Sequence, residues 1–171
     1  MPEINGVTVF ELPHRKTDDR GDFTKIISLN ITPELHIVEV FFSKTKKGFV
    51  RGLHFQNGPY LNNRIISCLS GKVFDVLLDL RPGSDTFLKI HTIEINSLSP
   101  KGVFVPSGVA HGFQSLEDNS QLIYFSDNSY NPNFDTGVAP MKSGINWPIK
   151  VNGMSERDAS LPSLSEHLHR I

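Results

Sequence analysis

Arg64-Ile65-Ile66-Ser67-Cys68-Leu69, Ser70-Gly71-Lys72 and Val73-Phe74-Asp75-Val76-Leu77-Leu78-Asp79-Leu80 read in succession as strand, tight turn and strand. β-Branched and long apolar side chains fill both arms, and Gly71 supplies the backbone freedom that a hairpin turn needs. The same grammar continues on both sides. Ile37 to Phe42 precedes it, while Lys89 to Ile95, Gly102 to Val105 and Gln121 to Phe125 follow. Arg81-Pro82-Gly83-Ser84, Ser99-Pro100-Lys101-Gly102 and Glu117-Asp118-Asn119-Ser120 supply the turns between them. Helical periodicity is nearly absent. Many short strands joined by close turns predict an all-β jelly-roll sandwich or barrel rather than an α/β sheet. After Tyr130 the composition shifts to Asn, Pro, Gly and Asp, which predicts an ordered excursion over the barrel mouth or an extended tail. Pro162 to Ile171 has the composition of a short helix, with His167-Leu168-His169 as a frayed terminus.

A length of 171 residues fits one domain, 1–171, with a sizeable core. Seventeen basic residues against eighteen acidic ones leave a formal charge of -1. Such a balance offers no strong field for nucleic acid or an anionic membrane, so any anion site must be local. The single cysteine, Cys68, excludes an intramolecular disulfide framework and reads as a buried strand residue. No signal-like opening and no apolar run of about 18 residues is found, so a cytoplasmic protein is expected.

Two strand-like runs, Arg51-Gly52-Leu53-His54-Phe55-Gln56 and Gly108-Val109-Ala110-His111-Gly112-Phe113, each carry one histidine where packing would favour an aliphatic residue. A strand histidine is either a hydrogen-bonded structural residue or a group that works near neutral pH. Metal-binding cupins, small barrels with inward histidines, hold their metal with a His-x-His pair, a nearby Glu and a later His. Here Phe55-Gln56 follows His54, and His111 stands alone. Three or four converging ligands are hard to assemble from this pattern, and no metal is expected.

Further motifs are spread along the chain: Asp19-Arg20-Gly21-Asp22-Phe23, Gly48-Phe49-Val50 running into Arg51 to Gln56, and Gly71-Lys72-Val73-Phe74-Asp75-Val76. Asp79-Leu80-Arg81-Pro82-Gly83-Ser84-Asp85-Thr86-Phe87, Pro106-Ser107 running into Gly108 to Phe113, Tyr130-Asn131-Pro132, Trp147-Pro148 and Ser155-Glu156-Arg157-Asp158 complete the set. In this order they resemble the dTDP-4-dehydrorhamnose 3,5-epimerase family over almost the whole chain. The resemblance implies a cupin-like jelly roll that works as a homodimer without metal or organic cofactor. It also implies an isomerase that inverts stereocentres beside the C4 ketone of a nucleotide-diphosphate-linked 4-keto-6-deoxyhexose. That places it in deoxysugar biosynthesis, for example for lipopolysaccharide.

By position, the resemblance makes His54 the general base, Asp158 the carboxylate that orients it, and Tyr124 the acid facing it across the sugar. Arg51 and Arg20 become the diphosphate partners, with Arg20 reaching in from the neighbouring subunit. Phe23, Gln56, His111 and Tyr130 fall on substrate-binding positions, although His111 serves equally well as a structural histidine. Arg64 stands where family members usually place a lysine, so a planar fork replaces a point charge. The roles agree with elementary chemistry. A hydrogen α to a ketone is removable because the resulting carbanion spreads onto the ketone oxygen, and histidine titrates close enough to neutrality to take it. Inversion then needs a proton donor on the opposite face, and a cation near the ketone to hold the enolate oxygen.

Two departures from the family fall on positions that read the nucleotide or the sugar. Lys25 stands where a glutamate is usual, and Glu39-Val40-Phe41 replaces Gln-x-Asn. Lysine can only donate, which mismatches the N3–H of thymine, whereas Lys25 together with Glu39 suits cytosine. CDP is therefore expected as an alternative to dTDP. Phe41 in place of asparagine adds bulk and removes a polar contact, which favours inversion at C3 alone over C3 and C5. Two other functions share the fold. One is a 3,4-ketoisomerase, for which this chain lacks the adjacent histidine pair, and the other is a non-catalytic sugar-nucleotide-binding module.

Overall fold

Side-chain alternation along the strands sorts this sequence into two layers. The computed structural model describes residues 3–12, 15–27 and 35–169. Within them, one antiparallel sheet runs β1 (Thr8–Glu11), β9 (Lys101–Val105), β6 (Arg64–Ser70), β11 (Ser120–Ser126), β4 (Glu39–Thr45). The facing sheet runs β12 (Asp135–Gly137), β5 (Val50–Gln56), β10 (Val109–Ser115), β7 (Lys72–Asp79), β8 (Ile90–Asn96). A separate hairpin pairs β2 (Arg15–Asp18) with β3 (Gly21–Thr24). The two five-stranded sheets form a jelly-roll sandwich. The expected strands match these closely, apart from the first.

β7 shows why Val73 to Leu80 is an almost unbroken apolar run. Val73 and Leu77 enter the cluster between the sheets with Ile66, Val103, Val109 and Leu122. Val76 and Leu78 point the other way, into a second cluster with Leu53, Ala110 and Val138. A strand buried on both faces loses its polar alternation. Each such fully buried aliphatic side chain contributes about 1.5–3 kcal/mol relative to exposure.

The second cluster also locates the C-terminal excursion. Ile145, Trp147 and Leu164 pack on the outer face of the β5–β8 sheet, so this segment covers that face as well as reaching the cavity. It carries α1 (Glu156–Ser160) and α2 (Leu164–Leu168). The short helix expected at the end of the chain is α2, whose first turn is closed by a capping box of Ser163 and Glu166; residues 170 and 171 lie outside the described residues. His167 is buried there, edge-on to Phe55 at 5.8 Å.

β4 begins two residues later than the apolar run Ile37 to Phe42 and continues through Ser43-Lys44-Thr45. Its partner β11 decides this, because Ser120 to Ser126 pair in register with Thr45 back to Glu39. β4 is an edge strand, and its apolar side chains Val40 and Phe42 remain 53% and 66% exposed. The short, polar strands β1, β2, β3 and β12 carry too few apolar residues for the alternation to reveal them.

A bulge in the β5–β10 ladder shapes the site. His54 lies opposite His111, but Phe113 lies opposite Arg51, so β5 carries one extra residue between these pairs. Strict alternation would send residues 51 and 54 to opposite faces, whereas with the extra residue Arg51 and His54 line the same cavity. Gly52 makes this fit. Its φ is +113°, and a Cβ there would stand 2.5 Å from Gly112 Cα and 2.7 Å from the His111 carbonyl oxygen. Gly83, φ +84°, has open space around it. In urea unfolding, Gly83→Ala is therefore expected to cost about 1 kcal/mol of backbone strain, and Gly52→Ala about 3 kcal/mol or more. Equal losses would contradict the close approach of the two strands.

Candidate active site

A cavity of about 340 Å³ opens between the sheets, lined by β5 and β10 on one side, β4, β6 and β11 on the other, and α1 at its rim. His54 projects from β5. The helix α1 brings Asp158 to it because Ser155 caps the first turn, its hydroxyl accepting from the Asp158 backbone N–H at 3.0 Å. The buried Asp158 carboxylate then takes two bonds. His54 Nε2 meets Oδ1 at 2.9 Å, and the Gly52 N–H donates to Oδ2 at 3.1 Å. Burial opposes ionisation of Asp158, but the bond and the charge of His54, together with the Gly52 amide, outweigh it and hold the carboxyl below its usual range. An ionised carboxylate only accepts, so Nε2 carries the hydrogen. Nδ1 is then the nitrogen left to take a proton.

His111 is paired differently. Its Nε2 lies 2.6 Å from Oδ1 of Asp75, and both side chains are buried. Asp75 sits between Val73 and Leu77 on the inward face of β7, so the pair belongs to the floor beneath the cavity. The register also sets His111 directly across from His54.

The opposite sheet supplies Tyr124 and Arg64. Tyr124, on β11, is 6% exposed, and burial pushes its pKa well above the phenol range although the charges of Arg64 and Arg51 pull it down. At neutral pH it is a donor. Arg64 reaches across from β6 to the carbonyls of His54 and Val109, at 3.2 and 3.3 Å. Burial lowers its pKa from a very high starting value, and it remains a cation. Arg51 is pinned at the rim, its Nε donating to Thr45 Oγ1 at 2.9 Å.

Gln56 and Tyr130 line the cavity as well, but the Gln56 amide is committed to backbone. It donates to the Tyr60 and Ser129 carbonyls and accepts from the Asn131 N–H, which fixes the loop that carries Tyr130. Glu39 accepts from the Tyr130 N–H at 3.1 Å. The remaining three expected residues are not brought here. Arg20, Phe23 and Lys25 lie on or beside the β2–β3 hairpin and do not line the cavity of their own chain. Arg20 instead bonds Asp18 on the exposed hairpin. The pairing of Lys25 with Glu39 that suggested cytosine is accordingly not formed within the chain.

The family description dTDP-4-dehydrorhamnose 3,5-epimerase matches residues 2–166. The chain belongs to this family. The dTDP-4-dehydrorhamnose 3,5-epimerase of Shigella flexneri is 32% identical over 163 residues, 91% of this chain and 90% of that protein. A dTDP-4-dehydrorhamnose 3-epimerase of Streptomyces niveus is 31% identical, covering 90% and 78%. The crystal structure of a 4-keto-6-deoxy sugar epimerase from the novobiocin biosynthetic gene cluster of Streptomyces spheroides superposes with a TM-score of 0.92 at 30% identity, over 98% of this chain and 87% of that one. The protein is an isomerase of the epimerase class.

Asp75, beneath the cavity, and Arg157, at its rim, were not among the expected site residues. Asp75 left a signal, since a carboxylate at an inward position between Val73 and Leu77 demands a buried partner. Arg157, bonded to Asp135 at the rim, stood inside a quoted motif without a role of its own. Phe41, expected to add bulk at the sugar end, stacks on Tyr124. No helix among the described residues is long and apolar enough to cross a membrane. Among the same residues, no three His, Cys, Asp or Glu side chains converge as metal ligands.

The depressed Asp158 fixes a pH dependence. Its contribution to stability is present above the ordinary carboxyl value near 3.9 and is lost as pH falls through the lower folded value. The difference in unfolding free energy between the protein and Asp158→Asn, measured in urea, is therefore expected to hold steady above about pH 5 and to narrow as pH falls through about 4 and below. A constant difference would show that the charge of Asp158 is not its source.

Proposed function

We propose that the protein inverts C3 of a dTDP-linked 4-keto-6-deoxyhexose, in the assembly of a deoxysugar. The observation that carries this is the His54–Asp158 pair at 2.9 Å on one wall of a cavity whose opposite wall presents Tyr124 and Arg64. His54 Nδ1 takes the proton from C3, and the electron pair moves onto the C4 carbonyl oxygen. Asp158 stabilises the imidazolium that forms and keeps the ring from turning. Arg64, a cation in a partly desolvated site, holds the enolate charge. Tyr124, on the facing sheet, then gives its phenolic proton to the other face of C3 as the ketone re-forms. Solvent returns both groups to their starting protonation, so each turnover leaves a solvent hydrogen on the inverted carbon.

The nucleotide assignment rests on the relatives, which are named for dTDP sugars. Arg51 at the rim suits the diphosphate, because a guanidinium pairs bidentately with phosphate oxygens. Arg20 and Phe23 fit the same ligand from a second copy of the chain. Phe23 is 58% exposed on a hairpin that, among the described residues, pairs only with itself, and the edge strand β4 leaves Val40 and Phe42 exposed. A homodimer that buries these side chains would complete the diphosphate end of the site.

Incubation in D2O with a dTDP-linked 4-keto-6-deoxyglucose tests the reaction. Deuterium is expected at C3, and His54→Ala is expected to slow its entry by about 10² to 10⁴ while dTDP still binds, more tightly than CDP. Undiminished exchange in His54→Ala would refute the assignment of the base.

A further inference from the structure

Phe41 is a cavity-wall residue with no part in the proton transfers. It lies in register with Tyr124 across the β4–β11 ladder. The two rings are nearly parallel, 9° apart in plane, with centroids separated by 4.7 Å. On Tyr124 a second ring, that of His111, stands edge-on at 5.9 Å and 70°. His111 is itself tied to Asp75. The phenol is thus braced by two rings, one of which is anchored by a buried carboxylate. Phe41 differs from Tyr124 in exposure: it is 43% exposed, and it lines the cavity. One face of Phe41 covers Tyr124 and the rest is open to whatever occupies the site.

The substrate gives this arrangement a consequence. C3 and C5 both flank the C4 ketone, so both carry hydrogens acidic enough to remove. A donor serves a carbon only within hydrogen-bond reach, about 2.6–3.2 Å between heavy atoms. To reprotonate both carbons, either the phenol or the sugar must shift between the two inversions. A stacked phenol is held still, because swinging it away uncovers two aromatic faces at once. The two carbons also differ in what they carry. In a 6-deoxyhexose C5 bears a methyl group, and inverting C5 moves that methyl from one side of the ring to the other. An exposed aromatic face is a favourable seat for a methyl group, whereas a hydroxyl-bearing carbon gains nothing there.

Resting on the epimerase reading, we propose that Phe41 is the specificity-determining residue that confines inversion to C3, by fixing Tyr124 through stacking and by seating the C5 methyl on its open face. Asparagine at this position would remove both effects, since it neither stacks on the phenol nor packs against a methyl.

The test is the ratio of deuterium entry at C5 and C3, followed by NMR in D2O with the dTDP-linked 4-keto-6-deoxyglucose. In the unmodified protein, C5 labelling is expected to lag C3 labelling at least about tenfold. In Phe41→Asn the C5:C3 ratio is expected to rise at least about tenfold, with dTDP affinity kept within about threefold as the check that the site is folded. Phe41→Leu, which keeps bulk but loses the flat face, is expected to shift the ratio in the same direction. A purely structural Phe41 would lower both rates together and leave their ratio unchanged. The proposal is overturned if the unmodified protein labels both carbons at similar rates, or if both variants preserve the ratio. Absence of label at both carbons in the unmodified protein would instead refute the epimerase reaction on which it rests.

Discussion

The Asp158 carboxylate joins the parts of the molecule that the site requires. One oxygen receives the backbone of Gly52 at the β5 bulge, and the other receives the imidazole of His54 two residues further on. The same bulge sets Arg51 and His54 on one face. A shift of α1 by an ångström would therefore loosen the His54 ring, and for the proposed acid–base chemistry such misplacement is costly. Arg157 ties α1 to Asp135 of β12, and the segments on either side of the helix are anchored by Trp147, Ile145 and Leu164 in the apolar cover of the outer sheet face. The C-terminal segment is in this sense part of the wall that holds His54. Its packing lies on the side of β5 away from the cavity, and its carboxylate comes round the strand to meet His54.

Charge is distributed across the cavity to suit an enolate. The β5 wall offers an imidazole backed by an anion, ready to become a cation. The opposite wall offers a fixed cation, Arg64, and a phenol that burial keeps protonated. A negative charge arising on the ketone oxygen between these walls meets Arg64 in a setting poorer in water than the surface, where its attraction is stronger. The two histidines have separate environments although they face each other in register. His54 is partly open to the cavity, whereas His111 is tied beneath it to Asp75. Position in the sandwich, rather than residue type, separates a histidine open to the cavity from one locked beneath it.

Much of this was legible in the chain. The hairpin Arg64 to Leu80, the turns and the near absence of helical periodicity identify the architecture, because β-branched runs and turn residues act locally. His54, Tyr124 and Asp158 could be named by resemblance to a family, but their convergence could not be read from spacing: 104 residues separate His54 from Asp158. Asp75 was overlooked because its inward parity was not weighed against its charge. The run Ile37 to Phe42 reads as a strand, yet apolarity alone does not say what covers a strand, and at this sheet edge Val40 and Phe42 stay exposed. Arg20, Phe23 and Lys25 sit on a hairpin whose neighbours in sequence are not its neighbours at the site. Local composition carries no record of where such a hairpin docks.

The orientation of the His54 ring is the claim on which the rest stands, and nitrogen NMR of imidazole-labelled protein reads it directly. At neutral pH with dTDP bound, His54 is expected to show a protonated Nε2 held by Asp158 and a bare Nδ1 facing the cavity. A His54 signal with the proton on Nδ1 and a bare Nε2, unchanged in Asp158→Asn, would contradict the account.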